Sequence, residues 1–172
     1  MKLTMKIKDI PESGSPLEVP FPPALLADAL AGHDADLATS HLVAHLDLYR
    51  AGETISIKGQ LRGEVEQPCS RCLEPAHLGV DARLNIVVGP ATLGAEESTD
   101  DDIEYFTHDG VVLDLEPVLR ESLILAIPMV VLCQPDCLGL CPVCGKNRNT
   151  SPCACQAVPP DPRLAVLRDV KL

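Results

Sequence analysis

The stretch Thr54-Ile-Ser-Ile-Lys-Gly-Gln-Leu-Arg-Gly-Glu-Val-Glu66 alternates apolar and polar side chains along its length. The same alternation runs through residues 41–49 and 77–88. Because successive side chains of a β-strand point to opposite faces of a sheet, this pattern predicts half-buried antiparallel strands. The residues predicted to face the core include Leu46, Ile57, Val80 and Leu84.

Short segments connect these runs. Ala51-Gly52 fits a hairpin turn, and Pro68-Cys-Ser-Arg-Cys-Leu-Glu-Pro75 places a cysteine pair at the tip of the next hairpin. Apolar residues at helical spacing predict helices over 24–31, 115–126 and 163–171. We therefore predict an α+β fold: an antiparallel β-sheet of about five strands, packed helices and a C-terminal cysteine-rich zinc-knuckle lobe.

The cysteines are confined to two places. Six of the eight fall between Cys133 and Cys155, and the other two form Cys69-Ser-Arg-Cys72. In a Cys-x-x-Cys sequence, a tight turn lets two thiolates bind one tetrahedral ion. In Cys141-Pro-Val-Cys144-Gly145 the proline presets φ and the glycine tolerates a positive φ. This spacing predicts structural zinc.

Loop length divides the thiols into candidate ligand sets. The first predicted zinc site consists of Cys141, Cys144, Cys153 and Cys155. A possible second site requires the hairpin tip to meet the tail, and consists of Cys69, Cys72, Cys133 and Cys137. Otherwise the hairpin pair are simply turn thiols. An ion with four thiolate ligands has no open position, so the zinc would be structural rather than catalytic.

The composition suggests a sheet domain with an appendage. We predict an α+β sheet domain over 1–130, and a cysteine-rich zinc lobe with a C-terminal helix over 131–172. Residues 1–10 alternate charge and apolarity, without the apolar run of a signal peptide or membrane span. This predicts a reducing cytoplasm, where disulfides are rare and thiols are free to bind metal.

Charge is unevenly distributed in a chain of net charge −11. An acidic run over 96–104 is interpreted as a solvated loop, and an acidic body is a poor generic nucleic-acid binder. Residues 133–172 are the exception, with five basic residues against three acids. The predicted partner-binding residues are the hairpin-tip Arg71 and the tail residues Lys146, Arg148, Arg163, Arg168 and Lys171.

No catalytic motif is recognisable. The chain lacks a nucleophile elbow, a phosphate-binding glycine loop and a dinucleotide fingerprint. Its histidines lack metal-ligand spacing on a helix. We therefore predict a protein that is not an enzyme and has no small-molecule substrate.

Several segments together resemble a known family. In order, these are Pro68–Pro75, Val112–Pro128, Leu132–Asn149, Cys153-Ala-Cys155 and Asp161–Leu167. They are similar to the YceD-like family of large ribosomal RNA subunit accumulation proteins, from about residue 40 to the C-terminus. The resemblance implies a bacterial cytoplasmic protein that supports accumulation or maturation of large-subunit ribosomal RNA.

The resemblance also implies partners. The expected partner is a large ribosomal subunit precursor or a ribosomal protein. Some family members lack the C-terminal cysteines but keep the hairpin pair, so the tail zinc site would be a stabilising addition. The alternative function is a zinc-stabilised protein-interaction adaptor without an RNA role; an enzyme such as a thiol oxidoreductase or nuclease ranks third. The acidic charge departs from what extensive direct RNA contact requires.

Overall fold

The computed structural model describes residues 3–32, 35–91, 103–156 and 163. The strands are β1 (Thr4–Lys6), β2 (Ser15–Pro20), β3 (Asp36–Ala51), β4 (Thr54–Pro68), β5 (Pro75–Pro90), β6 (Glu104–His108) and β7 (Val112–Asp114). The α-helices are α1 (Pro23–Ala29) and α2 (Glu116–Ala126), and a 3-10 turn spans Ile7–Asp9.

The main sheet has five strands in the order β2-β3-β4-β5-β6. Strands β2 to β5 pair antiparallel, but β6 pairs parallel with β5, so the predicted all-antiparallel sheet is wrong and the sheet is mixed. A parallel neighbour needs a long connection, and the end of β5 at Pro90 is far enough from the start of β6 at Glu104 in the sequence to allow one. Side-chain alternation is the same in both strand directions, which is why the sequence did not reveal this.

The predicted core face is confirmed. Leu46, Ile57, Val80 and Leu84 are at most 5% exposed, and they lie on the inner face of β3, β4 and β5. Their polar neighbours Asp47, Lys58 and Arg83 are exposed on the outer face. The sheet therefore has one apolar face and one solvent-facing face.

The helices pack against each other and cover the inner face of the sheet. The predicted helix over 115–126 is confirmed as α2, which buries Val118, Leu119 and Leu123. The Asp114 carboxylate accepts a hydrogen bond of 3.0 Å from the backbone N–H of Glu116 at its start. No helix in the described part of the chain is long and apolar enough to cross a membrane. The predicted helix over 163–171 lies outside the described residues, apart from residue 163.

A second, two-stranded sheet also contributes to the core, through Leu113 and the partly buried Met5. It pairs β1 antiparallel with β7 and places Met5 opposite Leu113. The segments on either side of Asp109-Gly110 therefore join different sheets, with β6 in the main sheet and β7 in the small one. The chain then runs through α2 to the tail, defined here as residues 131–156.

Candidate metal centres

The hairpin tip between β4 and β5 is a hydrogen-bonded turn. The backbone N–H of Cys69 donates to the Glu74 carbonyl at 2.8 Å, and the N–H of Leu73 donates to the Cys69 carbonyl at 3.0 Å. Leu73 has a φ of 64°, in the left-handed region where side chains other than glycine are strained. The turn holds the side chains of Cys69 and Cys72 almost fully buried.

The tail contains a second turn of the same construction. The backbone N–H of Cys141 donates to the Lys146 carbonyl at 2.8 Å, and the N–H of Gly145 donates to the Cys141 carbonyl at 2.9 Å. Gly145 has a φ of 71° and occupies the position that Leu73 has in the hairpin tip. The two Cys-x-x-Cys segments thus fold as equivalent knuckles, although only one carries the expected glycine.

The tail packs directly on the hairpin tip. The backbone N–H of Ser70 donates to the Val131 carbonyl at 2.8 Å, and the Val131 N–H donates to the Ser70 hydroxyl at 3.2 Å. On the other side of the tip, the Leu140 N–H donates to the Arg71 carbonyl at 3.0 Å. The structure therefore brings about the meeting of tip and tail that a second metal site requires.

Four thiols meet at this contact and form what we call the hairpin tetrad. Its members are Cys69, Cys72, Cys133 and Cys137, whose sulfur atoms all lie within 4.8 Å of one another. Cys69 Sγ lies 3.8 Å from Cys137 Sγ, and Cys72 Sγ lies 3.6 Å from Cys133 Sγ. All but Cys133 are buried.

The remaining thiols form a separate cluster, the tail tetrad. Its members are Cys141, Cys144, Cys153 and Cys155, and their sulfur atoms also lie within 4.8 Å of one another. Here only Cys141 is buried, while Cys144 and Cys155 are exposed. The structure thus brings the eight cysteines together as two quartets: knuckle spacing and loop length predicted the tail tetrad, and the hairpin tetrad was a possibility that depended on the contact between tip and tail.

Both tetrads fit a tetrahedral metal ion. Zinc–sulfur bonds of about 2.3 Å in a tetrahedron put the sulfurs about 3.8 Å apart. The S–S distances of 3.6 and 3.8 Å in the hairpin tetrad agree with this spacing. Among the described residues, each tetrad consists of four cysteines and no other ligand type. Such a set of four thiolates is typical of closed, structural zinc sites.

Electrostatics in the hairpin tetrad favour a bound cation. Burial raises the pKa of Cys69, but the backbone N–H groups of Arg71 and Cys133 outweigh it and hold the pKa at about 6. Burial and the adjacent thiol of Cys72 raise the pKa of Cys133 to about 12. The Cys69 thiol therefore ionises readily, whereas ionisation of Cys133 places a second negative charge beside it. A divalent cation removes the repulsion between the two thiolates.

The tail tetrad shows the same asymmetry. The backbone N–H groups of Cys144 and Val143 lower the pKa of Cys141 to about 6. The neighbouring Cys144 thiol and burial raise the pKa of Cys155 to about 12. Backbone N–H groups directed at sulfur are typical of knuckles, since they stabilise the thiolate that binds metal.

Asn149 supports the hairpin tetrad and was missed by the sequence analysis. Its side-chain amide donates to Cys137 Sγ at 3.3 Å, and its side-chain oxygen accepts from the Leu138 N–H at 2.8 Å. Asn147 connects this group back to the hairpin, because its amide donates to the Glu74 carboxylate at 3.3 Å. No spacing rule identifies such a residue, since its role depends on the docked tail.

The predicted partner-binding residues have different environments. Arg71 is exposed at the hairpin tip, and its guanidinium donates to the Cys137 carbonyl of the tail at 2.9 Å. Lys146 and Arg148 are exposed on the knuckle of the tail, and Arg163 is also exposed. The last two predicted residues, Arg168 and Lys171, lie outside the described residues.

The chain is similar in sequence to proteins from a plant and from mycobacteria. A large ribosomal RNA subunit accumulation protein YCED homolog 1, chloroplastic, from Zea mays is 26% identical over 142 residues, covering 67% of this chain and 48% of its own length. An uncharacterized protein of Mycobacterium tuberculosis is 33% identical over 113 residues, covering 63% of this chain and 54% of its own. The chain spans about half the length of the curated relatives it matches. No solved structure matches it.

The matching family is described as large ribosomal RNA subunit accumulation protein YceD, and its profile matches residues 57–171. That region contains most of β4, the hairpin tip, α2 and both tetrads. Since the match extends over more than half of the chain, the protein belongs to the YceD family of large ribosomal RNA subunit accumulation proteins.

Proposed function

We propose that this protein is a non-enzymatic ribosome-biogenesis factor of the bacterial cytoplasm that supports accumulation or maturation of large-subunit ribosomal RNA. The family match over residues 57–171 carries the proposal. The family and the Zea mays relative are both named for large ribosomal RNA subunit accumulation. The matched region includes every cysteine, so the metal lobe falls within what the chain shares with the family.

Two structural zinc ions are part of the proposal. The hairpin tetrad and the tail tetrad would each hold one ion. Zinc would cross-link the chain and would not act in catalysis, because four thiolate ligands leave no coordination position for a substrate. The backbone hydrogen bonds from Ser70 and Leu140 then fix the tail on the hairpin. In this arrangement the sheet domain carries the cysteine-rich tail, residues 131–156, on its hairpin tip.

The partner in this proposal is a large ribosomal subunit precursor or a ribosomal protein. Lys146 and Arg148 are exposed in the knuckle of the tail, while the acidic charge lies mainly elsewhere in the chain. Basic side chains on an otherwise acidic protein steer encounters with a partner and set its orientation. Arg71 belongs to the same proposed contact surface, because it is exposed at the hairpin tip, and its guanidinium also donates to the Cys137 carbonyl.

One observation favours the alternative of a zinc-stabilised interaction adaptor without an RNA role. Apolar side chains are exposed on the lobe: Leu73 is 65% exposed, Leu138 57% and Val143 52%. Exposed apolar groups of this kind are common at protein interaction sites. Such a surface fits a protein partner as well as a ribosomal particle.

Deletion of the gene separates these functions. The proposal predicts a fall in large-subunit relative to small-subunit ribosomal RNA, together with altered sedimentation of large-subunit precursors. Wild-type protein and the control variant Pro152→Ser should restore the ratio, whereas Cys153→Ser should not, because only Cys153 belongs to the tail tetrad. Unchanged ribosomal RNA and sedimentation in the deletion strain would favour the adaptor.

A further inference from the structure

The solvent-facing side of the main sheet has a row of side chains that the metal lobe does not use. The strand register places Tyr49 opposite Ser56, Ser56 opposite Val87, and Val87 opposite Tyr105. We call these four residues the tyrosine row. With neighbouring strands about 4.8 Å apart, the Cα atoms of the two tyrosines at its ends are about 14 Å apart.

The aromatic rings of the row are accessible. The chain has two tyrosines and no tryptophan, and both tyrosines lie in this row, 41% and 42% exposed. Phe21, by contrast, is buried in the core. Gly14 positions the Tyr49 ring, because a side chain at that glycine would collide with the ring. One side of the ring is thus fixed against backbone while the rest remains open to solvent.

Two cations of the same face lie near the row. Lys58 follows Ser56 by two residues on β4, and Arg83 lies on the same face of β5. Neither makes a hydrogen bond or an ion pair with any residue in the described ranges.

Two acids of the same face lie beside nitrogen-bearing side chains, an imidazole in one case and a guanidinium in the other. The Glu18 carboxylate lies 3.6 Å from His45, and the Asp81 carboxylate lies 3.5 Å from Arg62. Asp47 stands opposite Lys58 in the register without contacting it closely enough to form an ion pair. Near the row the charges balance: the acids Glu18, Asp47 and Asp81 are matched by Lys58, Arg62 and Arg83, whereas Glu64 and Glu66 lie farther along β4 toward the hairpin tip.

We propose that this face binds single-stranded RNA, with bases stacked on Tyr49 and Tyr105 and phosphates contacted by Lys58 and Arg83. Exposed aromatic rings on a sheet are a common platform for unpaired bases, since every base has a π-face that can stack. The site rests on the proposed function, which supplies an RNA-containing particle as the target. It names the contact surface that the family match leaves unspecified.

The net charge of the chain shapes how this site binds. A net charge of −11 opposes binding that depends on many phosphate contacts. Stacking carries the affinity here, and two phosphate contacts give a shallow salt dependence with a slope of about −1.4. Duplex RNA of the same sequence should bind weakly, because its bases are already stacked on each other.

Titration of a dye-labelled single-stranded RNA of about 12 nucleotides with the full chain, followed by the fluorescence of the dye, tests the site. Loss of one stacking ring weakens binding about 5- to 150-fold, so Tyr49→Leu and Tyr105→Leu should each fall in that range. The matched variants Tyr49→Phe and Tyr105→Phe keep the ring and should bind nearly as wild type. Lys58→Gln should reduce the salt slope by about 0.7.

Several results would overturn the site. These are failure of the wild type to bind single-stranded RNA, equal binding by the leucine and phenylalanine variants, and equal preference for duplex. If the leucine variants lost only a ribosomal protein partner and bound RNA normally, the face would be a protein contact instead. Lys58→Gln and Arg83→Gln provide surface variants with which to repeat the test if a leucine variant fails to fold.

The same variants distinguish failure of the RNA-binding site from failure of the proposed function. If deletion of the gene lowers large-subunit RNA but the Tyr49→Leu, Tyr105→Leu double variant restores it fully, the tyrosine row is excluded and the proposed function stands. If deletion changes nothing while RNA binding still requires both rings, the proposed function fails and the RNA site stands.

Discussion

Cys69 Sγ lies 3.8 Å from Cys137 Sγ, although 68 positions separate the two residues in the chain. This contact exists only because the tail docks on the hairpin tip, where Ser70 and Val131 exchange hydrogen bonds. Folding of the lobe and closure of the hairpin tetrad are therefore one event. The tail tetrad, by contrast, draws all its ligands from residues 141–155.

The two tetrads should respond separately to substitution. Cys137→Ser should remove one zinc ion and Cys155→Ser the other, each leaving one ion per chain by metal analysis. Amide hydrogen exchange at Ser70, whose N–H donates to the Val131 carbonyl, should quicken in Cys137→Ser and stay slow in Cys155→Ser. Equal loss of protection in both variants would show that the tetrads fold as one unit.

Leu73 should be a site of backbone strain. Its φ of 64° is unfavourable for leucine, and its side chain is 65% exposed, so little packing is lost on removal. Leu73→Gly should raise the free energy of unfolding by about 0.5–1 kcal/mol, measured by urea denaturation of the metal-bound protein. Gly145→Ala, at the equivalent position of the other knuckle, should lower it by a similar amount. The same sign in both would contradict the equivalence of the turns.

The inner face of the sheet should depend on Leu84. This side chain is 5% exposed in the apolar core, so Leu84→Ala should cost about 2–5 kcal/mol of unfolding free energy. The adjacent outer-face change Arg83→Ala should stay within about 0.5 kcal/mol. A loss below that value for Leu84→Ala on urea unfolding would place this residue outside the core.

Glu104 should make stability fall as pH rises. Burial raises the pKa of this carboxyl group, and the nearby Glu121 carboxylate raises it further, while the Ser122 hydroxyl opposes the shift. The folded state then holds the proton more tightly than the unfolded state. Its contribution is present below the unfolded pKa of about 4.3 and is lost as pH rises through the higher folded pKa.

Replacing this carboxyl group should remove that pH dependence. Glu104→Gln keeps an acceptor for the Ser122 hydroxyl but cannot ionise, so it should be more stable than the wild type at pH 7. The difference should shrink as pH falls toward 4, in thermal melts across this range. A variant less stable than the wild type at pH 7 would show that the charged form is favoured in the folded state.

The sequence predicted features that depend on local repetition, and missed those that depend on tertiary contact. Alternation located the buried positions such as Ile57, and spacing and loop length grouped the cysteines of the tail tetrad. The direction of β6 depends on the path of a crossover, which side-chain pattern does not encode. Leu73 was missed because the sequence analysis looked for a glycine at the positive-φ position of a knuckle. Asn149 was missed because it is not a metal-ligand residue type and contacts Cys137 only in the folded lobe.

Zinc X-ray absorption of protein purified without added metal tests the two-centre lobe most directly. The account predicts two zinc ions per chain, each with four sulfur ligands at about 2.3 Å. Metal-free protein with eight freely reacting thiols would contradict it, as would zinc held by nitrogen or oxygen ligands.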